Sequence, residues 1–373
     1  MSRALIGAVV AARLIGVAAK PLRAVATDAV ELIQCGPRDG LQPEKTIVDT
    51  ATKYRFLKLL DDAYAGKGRI EAGSFVGRTI PQFSDIADLC RMIREDENPI
   101  KSDLIFLLMN QRRFERAMEQ GVRNIAMVLS PSPEFTSRNM GIDSAERMFA
   151  TTETILRESE IEGVSNRVYI STCFFDPYTR KRIPTNTAAD YVERALQIGA
   201  AEVIISDTNG TATPQEVEKL LCELQKRKID FSKLAVHFHD TYGTGVANSL
   251  LSHGMGIKRI ESSVGGLGGC PFAPGASGNA ATEDLLFAFA RNGIRSGINI
   301  EPLLESSALI HKALNKRPDS KAYHALSVKT PQERAALLRG EDLSVTTTAR
   351  SSITNPQSSK LAAQDALTKC SLG

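Results

Sequence analysis

Short runs rich in β-branched and apolar residues recur along the chain, and each is followed by a stretch with the spacing of an amphipathic helix. Such alternation of strands and helices indicates a parallel α/β sheet, and eight consecutive units are the number found in a TIM barrel. The predicted strands are AVELIQC (29–35), RIEAGSF (69–75), DLIFLLM (103–109), NIAMVLS (124–130), RVYISTCF (167–174), EVIISDT (202–208), LAVHFHD (234–240) and RIESSVG (259–265). We therefore predict a (β/α)8 TIM barrel with a C-terminal helical extension and disordered-looking tails.

A doubly wound open sheet is the alternative arrangement for the same alternation of elements. Its dinucleotide-binding form carries the pattern G-x-G-x-x-G directly after the first strand. Here Gly36, Pro37 and Arg38 follow the first predicted strand instead. The barrel is thus the favoured prediction.

Both ends of the chain differ in composition from the part between them. Residues 1–27 contain basic residues but no acidic one and are rich in alanine, which is typical of a mitochondrial transit peptide. A secretory signal and an unprocessed disordered tail are the alternatives. Residues 326–373 form a C-terminal tail that is rich in Ser and Thr from Ser344 onward, and we predict it to be largely flexible. Residues 28–325 are the predicted catalytic barrel with its C-terminal helices, located in the mitochondrial matrix.

Composition excludes several classes of protein. The net charge of +3 arises from 46 basic and 43 acidic residues, which predicts no basic surface for nucleic acid. No apolar run approaches the roughly 18 residues needed to cross a bilayer, so no membrane partner is expected. The six cysteines include no C-x-x-C pair, which argues against a zinc knuckle or a dense disulfide framework.

Polar residues stand at the ends of several predicted strands. In a TIM barrel the active site is built from the C-terminal ends of the strands and the loops that follow them. We therefore expect these residues to converge at one mouth of the barrel. They are Arg38, Asp39, Glu71, Asp207, His237, His239, Cys270 and Asn279.

The segment LAVHFHD carries two histidines two residues apart on a predicted strand. His237 and His239 therefore point to one face, while Phe238 points to the other. Two imidazoles and the carboxylate of Asp39 can bind one divalent metal, with the amide oxygen of Asn279 as a further ligand. This set leaves room for substrate oxygens and predicts Mg²⁺ or Mn²⁺, although zinc or cobalt would also accept the nitrogen ligands.

The segment SSVGGLGGCPFAPGASGNAATEDL (262–285) is too rich in Gly and Pro for a strand or a helix. It is either a flexible connector or a catalytic loop that closes over a ligand. A thiol, that of Cys270, stands in its middle. A thiol with an ordinary pKa of about 8.5 is mostly protonated at neutral pH and can act as a general acid. We predict a catalytic loop.

Three segments of the chain resemble the 3-hydroxy-3-methylglutaryl-CoA (HMG-CoA) lyase family. They are GPRDGLQ (36–42), HFHDTYG (237–243) and the glycine-rich segment 262–285. The first two are shared in part with Claisen-condensing synthases of the same metal-dependent barrel superfamily, whereas the third is similar only to lyases. The likeness extends from about residue 30 to about residue 315.

The resemblance implies a reaction, a cofactor and partners. The reaction is the retro-Claisen cleavage of HMG-CoA to acetyl-CoA and acetoacetate, in leucine catabolism and ketogenesis. The implied metal is Mg²⁺ or Mn²⁺, held by Asp39, His237, His239 and Asn279. The partners are an acyl-CoA substrate and a second copy of the chain in a homodimer.

The resemblance also implies catalytic roles. Arg38 matches the cation that stabilises the enolate oxygen of the leaving thioester, and Cys270 matches the residue that protonates the enolate carbon. Either Asp39 or a metal-bound water takes the hydroxyl proton, with a histidine such as His237 as relay. Four supporting residues are also implied. Glu71 orients Arg38, whereas Gln42 and Glu283 support the substrate and the closing loop. Asp207 lies behind the metal ligands.

The loops after the fifth and sixth strands, ISTCFFDPYTRKRI and ISDTNGTATP, depart from the family pattern at the catalytic rim. A lyase for a longer 3-hydroxy-3-alkylglutaryl-CoA is therefore an alternative. The others are a Claisen-condensing acyl-CoA synthase of the same superfamily and a non-catalytic barrel that binds acyl-CoA.

Overall fold

A computed structural model describes residues 28–76, 80–269 and 278–341. The strands in these ranges are β1 (Glu31–Gln34), β2 (Arg69–Ser74), β3 (Asp103–Leu107), β4 (Asn124–Leu129), β5 (Ser165–Ile170), β6 (Phe175–Asp176), β7 (Lys181–Arg182), β8 (Val203–Asp207), β9 (Leu234–Phe238) and β10 (Arg259–Ser262). Eight of them pair in parallel and close into a barrel in the order β1-β10-β9-β8-β5-β4-β3-β2. The prediction of a TIM barrel is confirmed. Strands β6 and β7 form a separate antiparallel hairpin in the loop after β5.

Helices connect the barrel strands and continue beyond the last one. They are α1 (Thr50–Ala63), α2 (Ile86–Glu95), α3 (Gln111–Glu119), α4 (Pro133–Met140), α5 (Ala145–Ile161), α6 (Thr185–Gln197), α7 (Pro214–Lys226), α8 (Gly245–Gly254), α9 (Thr282–Arg291), α10 (Ile300–Ala313) and α11 (Lys321–Ser327). Several begin at a side-chain cap that pairs backbone N–H groups of the first turn. At the start of α7, for example, Thr213 and Glu216 form a reciprocal capping box.

The interior of the barrel is filled by side chains from alternate positions on its strands. One buried cluster draws members from six strands: Ile33, Ile105, Leu107, Ala126, Tyr169, Ile204 and Ala235. Because side chains two residues apart on a strand share a face, His237 lies on the same interior side as Ala235. The intervening Val236 and the following Phe238 are buried on the opposite side, toward the helices. Strand alternation thus directs an imidazole to the barrel axis.

The described residues from Val328 to Glu341 belong to a second unit. Its described part contains α12 (Pro331–Arg339), which begins with a capping box between Thr330 and Glu333. The predicted C-terminal tail therefore includes a helix. Residues 342–373 and the predicted transit peptide, 1–27, lie outside the described residues. No helix within the described ranges is both long enough and apolar enough to span a bilayer.

Candidate active site

A tight turn after β1 carries two of the predicted site residues. The N–H groups of Arg38 and Asp39 donate to the carbonyl oxygen of Cys35, at 3.1 and 2.8 Å. A Cβ atom on Gly40 would lie 2.9 Å from the carbonyl oxygen of Leu267, closer than real Cβ contacts. Glycine therefore lets this turn pack directly against the segment that follows β10, where the glycine-rich loop begins.

Three predicted metal ligands meet at the mouth of the barrel. The ligand atoms of Asp39, His237 and His239 all lie within 4.8 Å of one another. Oδ2 of Asp39 is 3.9 Å from Nε2 of His237 and 3.7 Å from Nε2 of His239. Two atoms that bind one Mg²⁺ at about 2.1 Å are at most about 4.2 Å apart. The spacing of these side chains therefore suits one divalent cation.

Asn279, in the second half of the glycine-rich segment 262–285, completes this group. It forms an isolated bridge with His239, and its Nδ2 donates to Oδ2 of Asp39 at 3.0 Å and to the carbonyl oxygen of Leu267 at 3.1 Å. Its Oδ1 is buried and has no hydrogen-bond partner among the residues the structure describes. Buried acceptors normally have a donor. An acceptor left over beside three ligands is therefore available to a cation.

The orientation of His237 is set from inside the barrel. Its Nδ1 lies 2.9 Å from Oε2 of the buried Glu261. Burial would raise the pKa of Glu261, but the charge of Arg167 and the contact with His237 hold that pKa below its ordinary value. Because an ionised carboxylate only accepts hydrogen bonds, Nδ1 of His237 donates to Glu261, and Nε2 is the ring nitrogen directed toward Asp39. A metal ligand that binds through Nε2 needs its ring held in this way.

Arg38 lies buried between two carboxylates. Its Nε donates to Oε2 of Glu71 at 2.8 Å, its Nη2 lies 2.6 Å from the same oxygen, and its Nη1 pairs with Oδ1 of Asp39. Burial opposes the charged forms, but the attraction of Glu71 and Asp39 holds the pKa of Arg38 well above its ordinary value. Burial likewise opposes ionisation of Asp39, yet Arg38 and the two histidines hold its pKa well below the ordinary value. Arg38 remains a cation and Asp39 an anion.

Three further residues, which were not predicted from the sequence, belong to this site: Tyr169, Arg167 and Glu261. The Tyr169 hydroxyl lies between Glu71 and Glu261 and is 2.8 Å from both oxygens of Glu261. Nη1 of Arg167 is 2.7 Å from Oε1 of Glu261. Each is a polar side chain at an alternate position of β5 or β10, on the face that the barrel interior uses. That alternation is the signal by which they could have been found.

Two other predicted residues bind the backbone of flanking loops. The carboxylate of Asp207, at the end of β8, accepts from the N–H groups of Ala212 at 2.8 Å and Thr211 at 3.2 Å, and burial raises its pKa. The carboxylate of Glu283 accepts from the N–H of Gly265 at 2.7 Å, and burial raises the pKa of Glu283 to about 7. Glu283 therefore holds the start of the glycine-rich loop.

Gln42 and Cys270 complete the predicted set. The N–H of Gln42 donates to the carbonyl oxygen of Arg38 at 3.0 Å, and its buried Oε1 has no hydrogen-bond partner within the described ranges. Cys270 lies outside the described residues, so its role stays a prediction. The residues brought together at the mouth are Arg38, Asp39, Glu71, His237, His239 and Asn279.

The chain is similar to known proteins over most of its length. Residues 29–310 match the family model described as HMGL-like. Mitochondrial hydroxymethylglutaryl-CoA lyase of Bos taurus is 37% identical over 323 residues, which cover 84% of this chain and 96% of the relative. Cytoplasmic 3-hydroxy-3-methylglutaryl-CoA lyase of Mus musculus is 35% identical over 79% of this chain and 84% of the relative.

A solved structure is also similar to this chain. An HMG-CoA lyase from Acinetobacter baumannii, in complex with coenzyme A and 3-methylmalate, has a TM-score of 0.73 and 30% identity, covering 82% of this chain and 98% of that one. Residues 29–310, which match the family model, include the barrel and every described residue of the candidate site. The chain therefore belongs to the HMGL-like family.

Proposed function

We propose that this chain is a hydroxymethylglutaryl-CoA lyase, a carbon–carbon lyase that cleaves HMG-CoA to acetyl-CoA and acetoacetate. The observation that carries the proposal is the cluster of Asp39, His237 and His239 beside Arg38, in a chain of the HMGL-like family. The relatives described above are HMG-CoA lyases, and the bacterial one was solved with coenzyme A. These likenesses support an acyl-CoA substrate.

Asp39, His237, His239 and Asn279 would hold the divalent cation, for which Mg²⁺ or Mn²⁺ is proposed. When bound, the cation would supply positive charge that stabilises negative charge on the substrate's oxygens. The low pKa of Asp39 suits it to ligation rather than to accepting a proton. The contact between His237 and Glu261 occupies Nδ1 and leaves Nε2 as the ring nitrogen directed at the cation position.

Arg38 supplies the fixed charge for the leaving fragment. Cleavage produces the enolate of a thioester, whose oxygen gains negative charge. Glu71 and Asp39 already hold the guanidinium in place, so it need not reorganise as that charge develops. The thiol of Cys270 then protonates the enolate carbon, which is the role implied by the resemblance.

A longer 3-hydroxy-3-alkylglutaryl-CoA is the second candidate substrate. The loop after β5 departs in sequence from the family pattern, and it contains Thr172, a buried residue with φ of +58°. The N–H of Thr172 donates to the hydroxyl of Thr208 at 3.0 Å, and its own hydroxyl is 2.7 Å from that of Ser130. This loop follows the C-terminal end of β5, and loops at that end of the strands form the active-site rim of a TIM barrel. Comparing kcat/KM for methyl and longer alkyl substrates distinguishes the two candidates.

The predicted transit peptide supports a location in the mitochondrial matrix, and relatives of both mitochondrial and cytoplasmic type occur. Imaging of cells that express the tagged full chain, with and without residues 1–27, tests that location. A homodimer is the proposed assembly, and light scattering on the purified chain tests it.

The decisive experiment measures acetoacetate release from HMG-CoA by the full chain, with Mg²⁺ or Mn²⁺ and after chelation. Release that depends on the metal is expected. A chain that binds metal and acyl-CoA without turnover would instead be a non-catalytic binding protein. Coenzyme A release from acetyl-CoA plus a 2-oxo acid, without acetoacetate release from HMG-CoA, would identify a condensing synthase.

A further inference from the structure

A buried carboxylate lies directly beneath the candidate metal site, inside the barrel. Glu261 is 1% exposed and has partners on three sides. Its oxygens are 2.9 Å from Nδ1 of His237, 2.8 Å from the hydroxyl of Tyr169 and 2.7 Å from Nη1 of Arg167. Tyr169 and Arg167 therefore restrict how this carboxylate faces His237.

The contacts of Glu261 continue toward the opposite end of the barrel. Nη2 of Arg167 is 2.6 Å from Oε2 of Glu202, and Arg167 is only 3% exposed. Glu202 in turn pairs with Arg69 at 3.0 Å and with Arg259 at 2.5 Å. We call Glu261, Arg167, Glu202, Arg69 and Arg259 the axial ion network. Its charges alternate in sign, which compensates their burial.

We propose that Glu261 is a positioning residue of the metal centre, which acts through His237, and that Arg167 fixes the Glu261 carboxylate for this task. The inference rests on the proposed function only for the assignment of His237 as a metal ligand. Glu261 lies behind His237 and not at the mouth, so it would touch neither the cation nor the substrate. Its effect is to hold the imidazole ring in one orientation, with Nδ1 as donor and Nε2 free for the cation.

A network that served only to stabilise the fold would predict a different result. In that case the loss of any buried carboxylate would destabilise the protein to a similar degree, because each leaves an arginine without its partner. Metal affinity of the folded protein would not distinguish one carboxylate from another. Glu202 is the matched control, since it pairs with the same Arg167 and is also buried, at 4% exposed, but contacts no metal ligand among the described residues.

The test measures Mn²⁺ affinity of the full chain by electron paramagnetic resonance, without substrate. Glu261→Gln is expected to weaken Mn²⁺ binding by roughly 10–100-fold, while Glu202→Gln leaves it unchanged. Equal Mn²⁺ affinity in wild type and Glu261→Gln would overturn the proposal. An equal loss in both variants would overturn it as well, because the loss would then follow from the network as a whole.

Removal of one buried charge can prevent folding, so a second pair of variants removes charges in balance. The double variant Glu261→Gln/Arg167→Met is compared with the double variant Glu202→Gln/Arg69→Met. The proposal is overturned if the first double variant keeps the Mn²⁺ affinity of the wild type, or if both double variants lose that affinity equally. Because the titration contains no substrate, it is independent of turnover. A chain that binds Mn²⁺ through His237 but releases no acetoacetate would contradict the proposed function alone, whereas a lyase in which Glu261→Gln keeps its Mn²⁺ affinity would contradict this inference alone.

Discussion

Replacement of Glu283 by glutamine should change how stability depends on pH. The side chain is fully buried at the start of α9 and accepts a hydrogen bond from the N–H of Gly265. Burial raises its pKa from 4.5 to about 7, so the folded protein favours the protonated carboxyl group. The resulting stabilisation relative to Glu283→Gln is fully present below pH 4.5 and is lost as the pH rises through about 7.

The magnitude follows from the same pKa values. A pKa difference of one corresponds to about 1.4 kcal/mol, so the whole effect of Glu283 is about 3 kcal/mol, of which about 2 kcal/mol falls between pH 5.5 and pH 8. Glutamine keeps an acceptor for Gly265 but does not titrate. The free energy of unfolding of the wild type should therefore decrease by about 2 kcal/mol relative to Glu283→Gln across that interval.

Urea unfolding followed by circular dichroism, in the presence of a chelator, measures this difference. The chelator removes any contribution from metal binding, which also depends on pH. Glu305→Gln, at an exposed position of α10, controls for the loss of one charge. A difference between wild type and Glu283→Gln that stays constant from pH 5.5 to pH 8, or that grows in favour of the wild type, would refute the reasoning.

Four further substitutions test the proposed site. His237→Ala should lose Mn²⁺ affinity and acetoacetate release together, whereas Cys270→Ser should keep Mn²⁺ affinity and lose most turnover; equal metal loss in both would contradict this division. Arg38→Lys should lower kcat by about 10²–10³-fold, because lysine cannot reproduce the fork of donors, whereas the positive charge it keeps beside Asp39 limits the loss of metal affinity. Steady-state kinetics and a Mn²⁺ titration measure the two effects. Gly268→Ala should weaken Mn²⁺ binding, since a Cβ would lie 2.7 Å from Nδ2 of Asn279 at a backbone φ of +138°, and normal binding would show that this loop adapts.

The order and number of the strands could be predicted because each has a continuous β-rich run with turn signals around it. The residues at which the strands end could not be predicted in this way. The fifth run, 167–174, ends in the structure at Ile170, and Thr172 beyond it takes a left-handed conformation. The eighth, 259–265, ends at Ser262 because Gly265 turns with φ of +62° and bonds to Glu283. Both turns depend on contacts made by distant residues, which local propensity does not contain.

The site shows the same division between local and distant information. The two-residue spacing of His237 and His239 indicates a shared face without any knowledge of their neighbours. Glu261 has no such local signature, since its partner Tyr169 is 92 residues away in the chain. A lone acidic residue in a strand predicts a function only when the inward face of that strand is known. Closure of the barrel supplies that knowledge.

Strand β9 is hydrogen-bonded along both edges, to β8 and to β10. One residue inserted between Leu234 and His237 would turn every side chain beyond it to the other face, and both imidazoles would then point among the surrounding helices. A β-bulge such as the register shift between Glu71 and Gly73 of β2 could absorb the extra residue only by disturbing the hydrogen bonds of β9 to its neighbouring strands. Homologues and engineered forms of this chain should therefore differ in length at the β6–β7 hairpin and other surface loops, while the strand with the two histidines keeps its length.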